Sequence, residues 1–126
     1  MSQIDKRKIL IVDDEPNVRQ LVRRMLNRKF IVLEAEDGNQ AIDIACTQKP
    51  DLILMDIMMP KMDGYTACRE IKSDKATRAI PVVMLTSVDF QLNKDLAKDI
   101  GADGYITKPL DSQKLLDVMH RFKTIS

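Results

Sequence analysis

Five short aliphatic runs, each followed by a longer stretch of different period, constrain this chain more than any other feature. Ile9–Val12, Phe30–Ala35, Leu52–Met55, Val82–Leu85 and Tyr105-Ile106 have the length and the β-branched or aliphatic character of strands. After the first run, Val18, Leu21, Val22, Met25 and Leu26 fall at i, i+3, i+4, i+7 and i+8, the stripe of a helix that packs on a sheet. Asp13, Asp14, Glu15 and Pro16 follow that run, acidic residues and a proline that suit the helix's first turn. The turn Asp37-Gly38 leads into a short helix carrying Ala41, Ile42 and Ala45, which stops near Lys49-Pro50. A loop rich in Met, Pro and Gly joins Asp56 to Gly64, and Tyr65 to Lys72 resumes helical spacing. Asp89 to Ile100 reads as a fourth helix closed by Gly101. Asp111 or Ser112 can cap a last helix lined by Leu115, Leu116, Met119 and Phe122. Strand and helix alternating in this way predict an α/β fold around a parallel sheet.

Composition narrows the function. Twenty Lys and Arg against nineteen Asp and Glu leave a net charge of +1, and 4% aromatics with no Trp give neither the basic excess nor the stacking rings of a nucleic-acid module. No apolar run approaches a membrane span, so no membrane insertion is expected. Two cysteines and no secretory leader fit a reducing cytoplasm. The 126 residues read as one domain, 1–126, with no linker or repeat.

The chemistry collects where the strands end. Asp13 and Asp14 follow the first strand, Asp56 the third, Thr86 the fourth and Lys108 the fifth. In a parallel sheet with helices on both faces, ligands sit outside the carboxyl ends of the strands. Carboxylates crowded there repel one another unless a cation lies among them. An all-oxygen acidic pocket suits Mg²⁺, with Lys108 a fixed ammonium and Thr86 a hydroxyl. A carboxylate in such a place can attack phosphorus and become an aspartyl phosphate. Each residue alone has an ordinary explanation as a cap, a turn or a strand residue; at successive strand ends the set points to phosphoryl capture.

The acidic pair Asp13-Asp14, the segment from Asp56 through Pro60 to Gly64, Thr86-Ser87, and Tyr105 through Lys108-Pro109 together resemble the receiver domain of two-component response regulators, over the whole chain. The resemblance implies a doubly wound (βα)5 flavodoxin-like sandwich with strand order 2-1-3-4-5. It implies that Asp56 is the phosphoacceptor and that Asp14 binds Mg²⁺ directly, Asp13 mainly through water, and Met58 through its backbone carbonyl. It implies a phosphoryl contact for Lys108, a cis bond to Pro109, and a switch pair, Thr86 and Tyr105. The phosphodonor would be a sensor histidine kinase or histidine phosphotransfer protein, meeting the chain near Glu15, Val18, Pro109 and Leu110. An unknown downstream protein would read the face built by the helix Asp89–Ile100, the fifth strand and the last helix, with Lys94, Lys98 and Tyr105 in contact. The expected product is a single-domain regulator, a binding module that catalyses only its own phosphoryl transfer and dephosphorylation. The alternative is the receiver portion of a larger DNA-binding regulator or hybrid kinase.

Other features read more plainly. Arg19, Arg23, Arg24, Arg28 and Lys29 are expected on a solvated helix face, His120 at the surface, and Cys46 and Cys68 as buried thiols. Met58, Met59 and Met62 are expected to pack in the core. A haloacid-dehalogenase-type phosphatase would need an Asp where Glu15 stands, two past Asp13. The winged-helix regulators' dimer would need an acid, an acid and a base where Gly104, Lys114 and Val118 fall. Met58 and Val88, two past the acceptor and the switch threonine, polarise water poorly, so a slow self-dephosphorylation is expected.

Overall fold

The computed structural model describes residues 6–59, 61–86 and 101–122. Pro60, Ser87, Val88 and the expected helix Asp89–Ile100, with Lys94 and Lys98, lie outside the described residues. The elements run β1 (Arg7–Val12), α1 (Pro16–Leu26), β2 (Phe30–Ala35), α2 (Gly38–Gln48), β3 (Leu52–Asp56), α3 (Gly64–Ser73), β4 (Val82–Thr86), β5 (Gly104–Thr107) and a last helix, Ser112–Arg121. All pairings are parallel and the sheet order is β2-β1-β3-β4-β5.

Because successive strand residues point to opposite sides, each strand feeds two cores. Ile9, Ile11, Leu52, Leu54, Val83, Leu85 and Ile106 pack with Val22 and Leu26 of α1 and with Leu115, Val118 and Met119 of the last helix. Leu10, Val12, Ile53, Met55, Val82 and Met84 face the other way, onto Ala41 and Ala45 of α2 and Ala67, Cys68 and Ile71 of α3. Burying one such aliphatic side chain is worth roughly 1.5–3 kcal/mol, so both layers contribute heavily. Small residues on α2 and α3 let those helices lie close to the sheet and to each other.

Three helices start on side-chain caps. Asp37, Asp63 and Asp111 accept hydrogen bonds from the backbone N–H groups of Gln40, Thr66 and Lys114. Asp111, rather than Ser112, is therefore the cap of the last helix. Pro16 opens α1, where its missing N–H is no loss. Gly101 has φ +79°, the left-handed conformation expected of it.

Several expectations about burial are corrected. Leu21 and Leu116 are 37% and 44% exposed, because each lies one residue outside its helix's buried stripe. Cys46 is exposed for the same reason: the buried line of α2 is Gly38, Ala41 and Ala45, and Cys46 is turned about 100° from it. Cys68 is buried, and burial pushes its thiol up to about 12. Met58 is 67% exposed rather than core, whereas Met59 and Met62 are partly buried against the α2–α3 layer.

Candidate functional site

The strand ends converge because the sheet is parallel. β1 delivers Asp13 fully buried, its N–H donating to the Ala35 carbonyl of β2 at 3.1 Å. Asp13 Oδ1 accepts from the Glu15 N–H at 2.9 Å and Oδ2 from Lys108 Nζ at 2.9 Å. Asp14, next in the chain, is exposed toward a cavity of about 330 Å³ that is also lined by Glu15, Asp56, Met58, Thr86 and Lys108. Asp56 is the last residue of β3 and Thr86 the last of β4, and both are almost buried. Lys108 follows β5; its N–H donates to the Thr86 carbonyl at 2.6 Å, and its bond to Pro109 is cis.

The β3–α3 loop is held tightly beneath Asp56. A methyl group at Gly64 would collide with the Asp56 carbonyl oxygen, and one at Gly38 would press into Met62 at 2.9 Å. The loop thus leans on the start of α2 and brings the Met58 N–H to 3.4 Å from Asp56 Oδ1.

Charge is unbalanced here. Lys108 Nζ lies 2.9 Å from Asp13, 3.5 Å from Asp56 and 3.9 Å from Glu15. Burial first, and the neighbouring Asp13 charge second, push the Asp56 carboxyl up to about 6, although Lys108 and the Met58 N–H pull the other way. Burial works to lower the Lys108 pKa, but the hydrogen bond to Asp13 and the charges of Asp13, Asp56 and Glu15 outweigh it, and the net direction is up. One carboxylate oxygen from each of Asp13, Asp14 and Asp56 lies within 4.8 Å of the others. That donor set, all hard oxygen and short of positive charge, fits a small divalent cation such as Mg²⁺.

The residues named from the sequence thus meet at one rim: Asp13, Asp14, Asp56, Met58, Thr86 and Lys108. Tyr105 does not line this cavity. Its ring is half-buried against the α2–α3 layer, and its hydroxyl has no hydrogen-bond partner among the described residues. Burial and the nearby Tyr65 and Cys68 raise its pKa. A second cavity, about 280 Å³, opens between Tyr105 and the last helix at Lys114, Asp117 and Arg121.

One group beside the site was not anticipated. Arg19 and Arg23, expected on a solvated face, both grip Glu34 of β2. Arg19 Nε donates to Glu34 Oε1 at 3.1 Å, and Arg23 Nε and a terminal nitrogen donate to Oε2 at 2.8 and 2.6 Å. A terminal nitrogen of Arg19 also donates to the Asp13 backbone carbonyl at 2.6 Å. Burial opposes ionisation of Glu34, but the two guanidinium groups hold its carboxyl below the usual range. The sequence carried one signal: a lone acid, Glu34, inside an aliphatic strand, eleven residues from Arg23.

The fold and the acidic strand-end pocket define the class: a doubly wound, flavodoxin-like α/β domain. Residues 9–120 match the response regulator receiver domain, and the chain belongs to that family of two-component signalling modules. It is 41% identical over 122 residues to the response regulator PleD of Caulobacter vibrioides, covering 94% of this chain but 27% of PleD. It is 40% identical over 114 residues to the protein PilH of Pseudomonas aeruginosa, covering 90% of this chain and 94% of PilH. Among solved structures it resembles the receiver domain of the sensor histidine kinase PA1611 of P. aeruginosa PAO1, with a magnesium ion coordinated in the active-site cleft. That likeness has a TM-score of 0.84 and 32% identity, and covers 94% of this chain and 98% of that one. No helix among the described residues is long and apolar enough to cross a membrane.

Proposed function

We propose that Asp56 accepts a phosphoryl group from a histidine kinase or histidine phosphotransfer protein in a Mg²⁺-dependent reaction, and that the phosphorylated domain switches a protein-binding surface. The observation that carries this reading is the placement of Asp56: a nearly buried carboxylate with Lys108 Nζ 3.5 Å away and two further aspartates at one cation's reach. Asp13, Asp14, Asp56 and the Met58 carbonyl would hold the ion, which supplies charge neutralisation for phosphoryl oxygens. Asp56 supplies the nucleophilic oxygen. Its bond to phosphorus forms as the bond from phosphorus to the donor imidazole nitrogen breaks, and the electron pair returns to that nitrogen, which takes up a proton. Lys108, which follows β5 and is fixed against Asp13, would stabilise the transferred charge.

Thr86 borders the same cavity and would report the phosphoryl group to Tyr105, and through it to a downstream protein at the face that includes β5 and the last helix. The cytoplasm is the compartment proposed, and a single-domain regulator is the form proposed, on the likeness to PilH. Incubation with acetyl phosphate and Mg²⁺ should add one phosphoryl group by intact mass, and Asp56→Asn should take up none. Undiminished labelling of that variant overturns the assignment. Immunodetection of the protein in its native extract at a mass well above 14.4 kDa would overturn the single-domain form.

A further inference from the structure

We propose that Arg19 is a positioning residue for the metal site, acting through the peptide that joins Asp13 to Asp14. The inference rests on the Mg²⁺ reading above. The Asp13 side chain is fully constrained, one oxygen by the Glu15 N–H and the other by Lys108. Its own N–H is fixed by the sheet, through the Ala35 carbonyl. What remains is its carbonyl, which sets the plane of the following peptide and hence the direction in which Asp14 leaves the strand. That carbonyl accepts from an Arg19 terminal nitrogen at 2.6 Å.

Arg19 is itself locked. Its side chain is only 11% exposed, its Nε is held by Glu34 at 3.1 Å, and a terminal nitrogen lies 3.7 Å from Glu36 Oε1. A planar guanidinium suits this task, because its donors diverge at fixed angles and meet Glu34 and the Asp13 carbonyl at once. Glu34 pairs across the sheet with Ile11, so the clamp ties β2 and α1 to the end of β1. Asp14, the exposed member of the acidic trio, has no comparable restraint of its own in the side-chain hydrogen bonds described. Its aim is set by the backbone that Arg19 holds.

Arg23 provides an internal control. It grips the same Glu34 carboxylate and donates to the Val32 carbonyl at 3.1 Å, but it does not touch Asp13. A merely structural role would make the two arginines equivalent. A positioning role would separate them.

The experiment is a Mn²⁺ and Mg²⁺ titration of the metal-dependent NMR shifts of the unphosphorylated protein, with thermal unfolding measured in parallel. Arg19→Met keeps the apolar stem and deletes the donors. It should weaken metal binding about tenfold, the lower end for loss of a group that orients a ligand. In the metal-free protein its amide shift changes should centre on Asp14. Arg23→Met should lose comparable thermal stability yet keep metal affinity within about twofold of wild type, well short of that tenfold loss. Should Arg19→Met not fold, Arg19→Lys is the substitute, since one ammonium cannot serve both acceptors; about fivefold weakening is then expected. Equal affinity loss in the Arg19 and Arg23 variants, or wild-type affinity in both, overturns the proposal. Asp14→Ala is run alongside: wild-type affinity there removes the metal reading itself, whereas lost affinity there with none lost at Arg19 removes only this inference.

Discussion

The two ends of the sheet each carry a lysine–aspartate contact of the same length, and they have opposite characters. At the amino end, Lys72 Nζ meets Asp103 Oδ2 at 2.9 Å; the lysine also donates to the Ile80 carbonyl and the aspartate also accepts from the Val82 N–H. One positive group faces one negative group, and the contact stitches α3 to the starts of β4 and β5. At the carboxyl end, Lys108 Nζ meets Asp13 Oδ2 at 2.9 Å as well, but Asp56 and Glu15 also lie within 4 Å of the same ammonium. Bond length does not tell the two apart. The charge count around the lysine does, and an excess of carboxylates is the setting that suits a cation.

The largest expected effect separates the ends by pH. Asp56 holds its proton to about pH 6 in the fold, against an ordinary value of 3.8, so the folded chain binds protons more tightly than the unfolded one. Stability from this group is present below pH 3.8 and is lost as pH rises through 6. In EDTA, Asp56→Asn should therefore match wild type near pH 4 and exceed it by about 3 kcal/mol at neutral pH. Urea unfolding at the two pH values checks this; a gap that does not widen with pH contradicts the unbalanced-charge account.

At the other end, Asp103→Ala should destabilise by about 2 kcal/mol, since it strands the Lys72 ammonium and the Val82 N–H. The same variant should bind Mg²⁺ as wild type does. Reduced metal affinity in Asp103→Ala would erase the distinction between the two ends.

Mg²⁺ at ten times its dissociation constant should stabilise wild type and Asp103→Ala by about 1.4 kcal/mol, and Asp14→Ala not at all. Calorimetry with and without the ion reads all three. Smallest of all is the effect at the cavity mouth. Met58→Asn places a polar group where an apolar one is 67% exposed, and should speed loss of the phosphoryl group about threefold, or about 0.6 kcal/mol in barrier. Release of phosphate from the purified phosphoprotein measures it, and an unchanged rate means the side chain does not border the water's approach.

The same contrast explains what could be read in advance. The strands were legible because β1, β3 and β4 are aliphatic on both sides, and the acidic rim because its members end the strands. Lys72 with Asp103, and Arg19 and Arg23 with Glu34, were not. Their partners come from different elements, 31, 15 and 11 residues apart, and hydropathy period does not record which long side chain crosses a gap. Cys46 and Leu116 were misplaced for a narrower reason: they adjoin buried neighbours in sequence, while a helix rotates them away. Asp14 and Met58 were legible as chemistry, but their exposure followed only from the two separate loops that carry them, after β1 and after β3.

The alternation of side chains in β4 has a further consequence. Leu85 points into the layer of α1 and the last helix, and Thr86, the next residue, is directed by the pleat toward the layer of α2 and α3, where Tyr105 also packs. Under the proposed switch, a message written at the rim would pass from Thr86 to Tyr105 along one face of the sheet, to its β5 edge. The sheet then acts as a partition. Register keeps the two sides distinct: a one-residue slip of β4 would exchange Leu85 for Thr86 and send the hydroxyl into the wrong compartment.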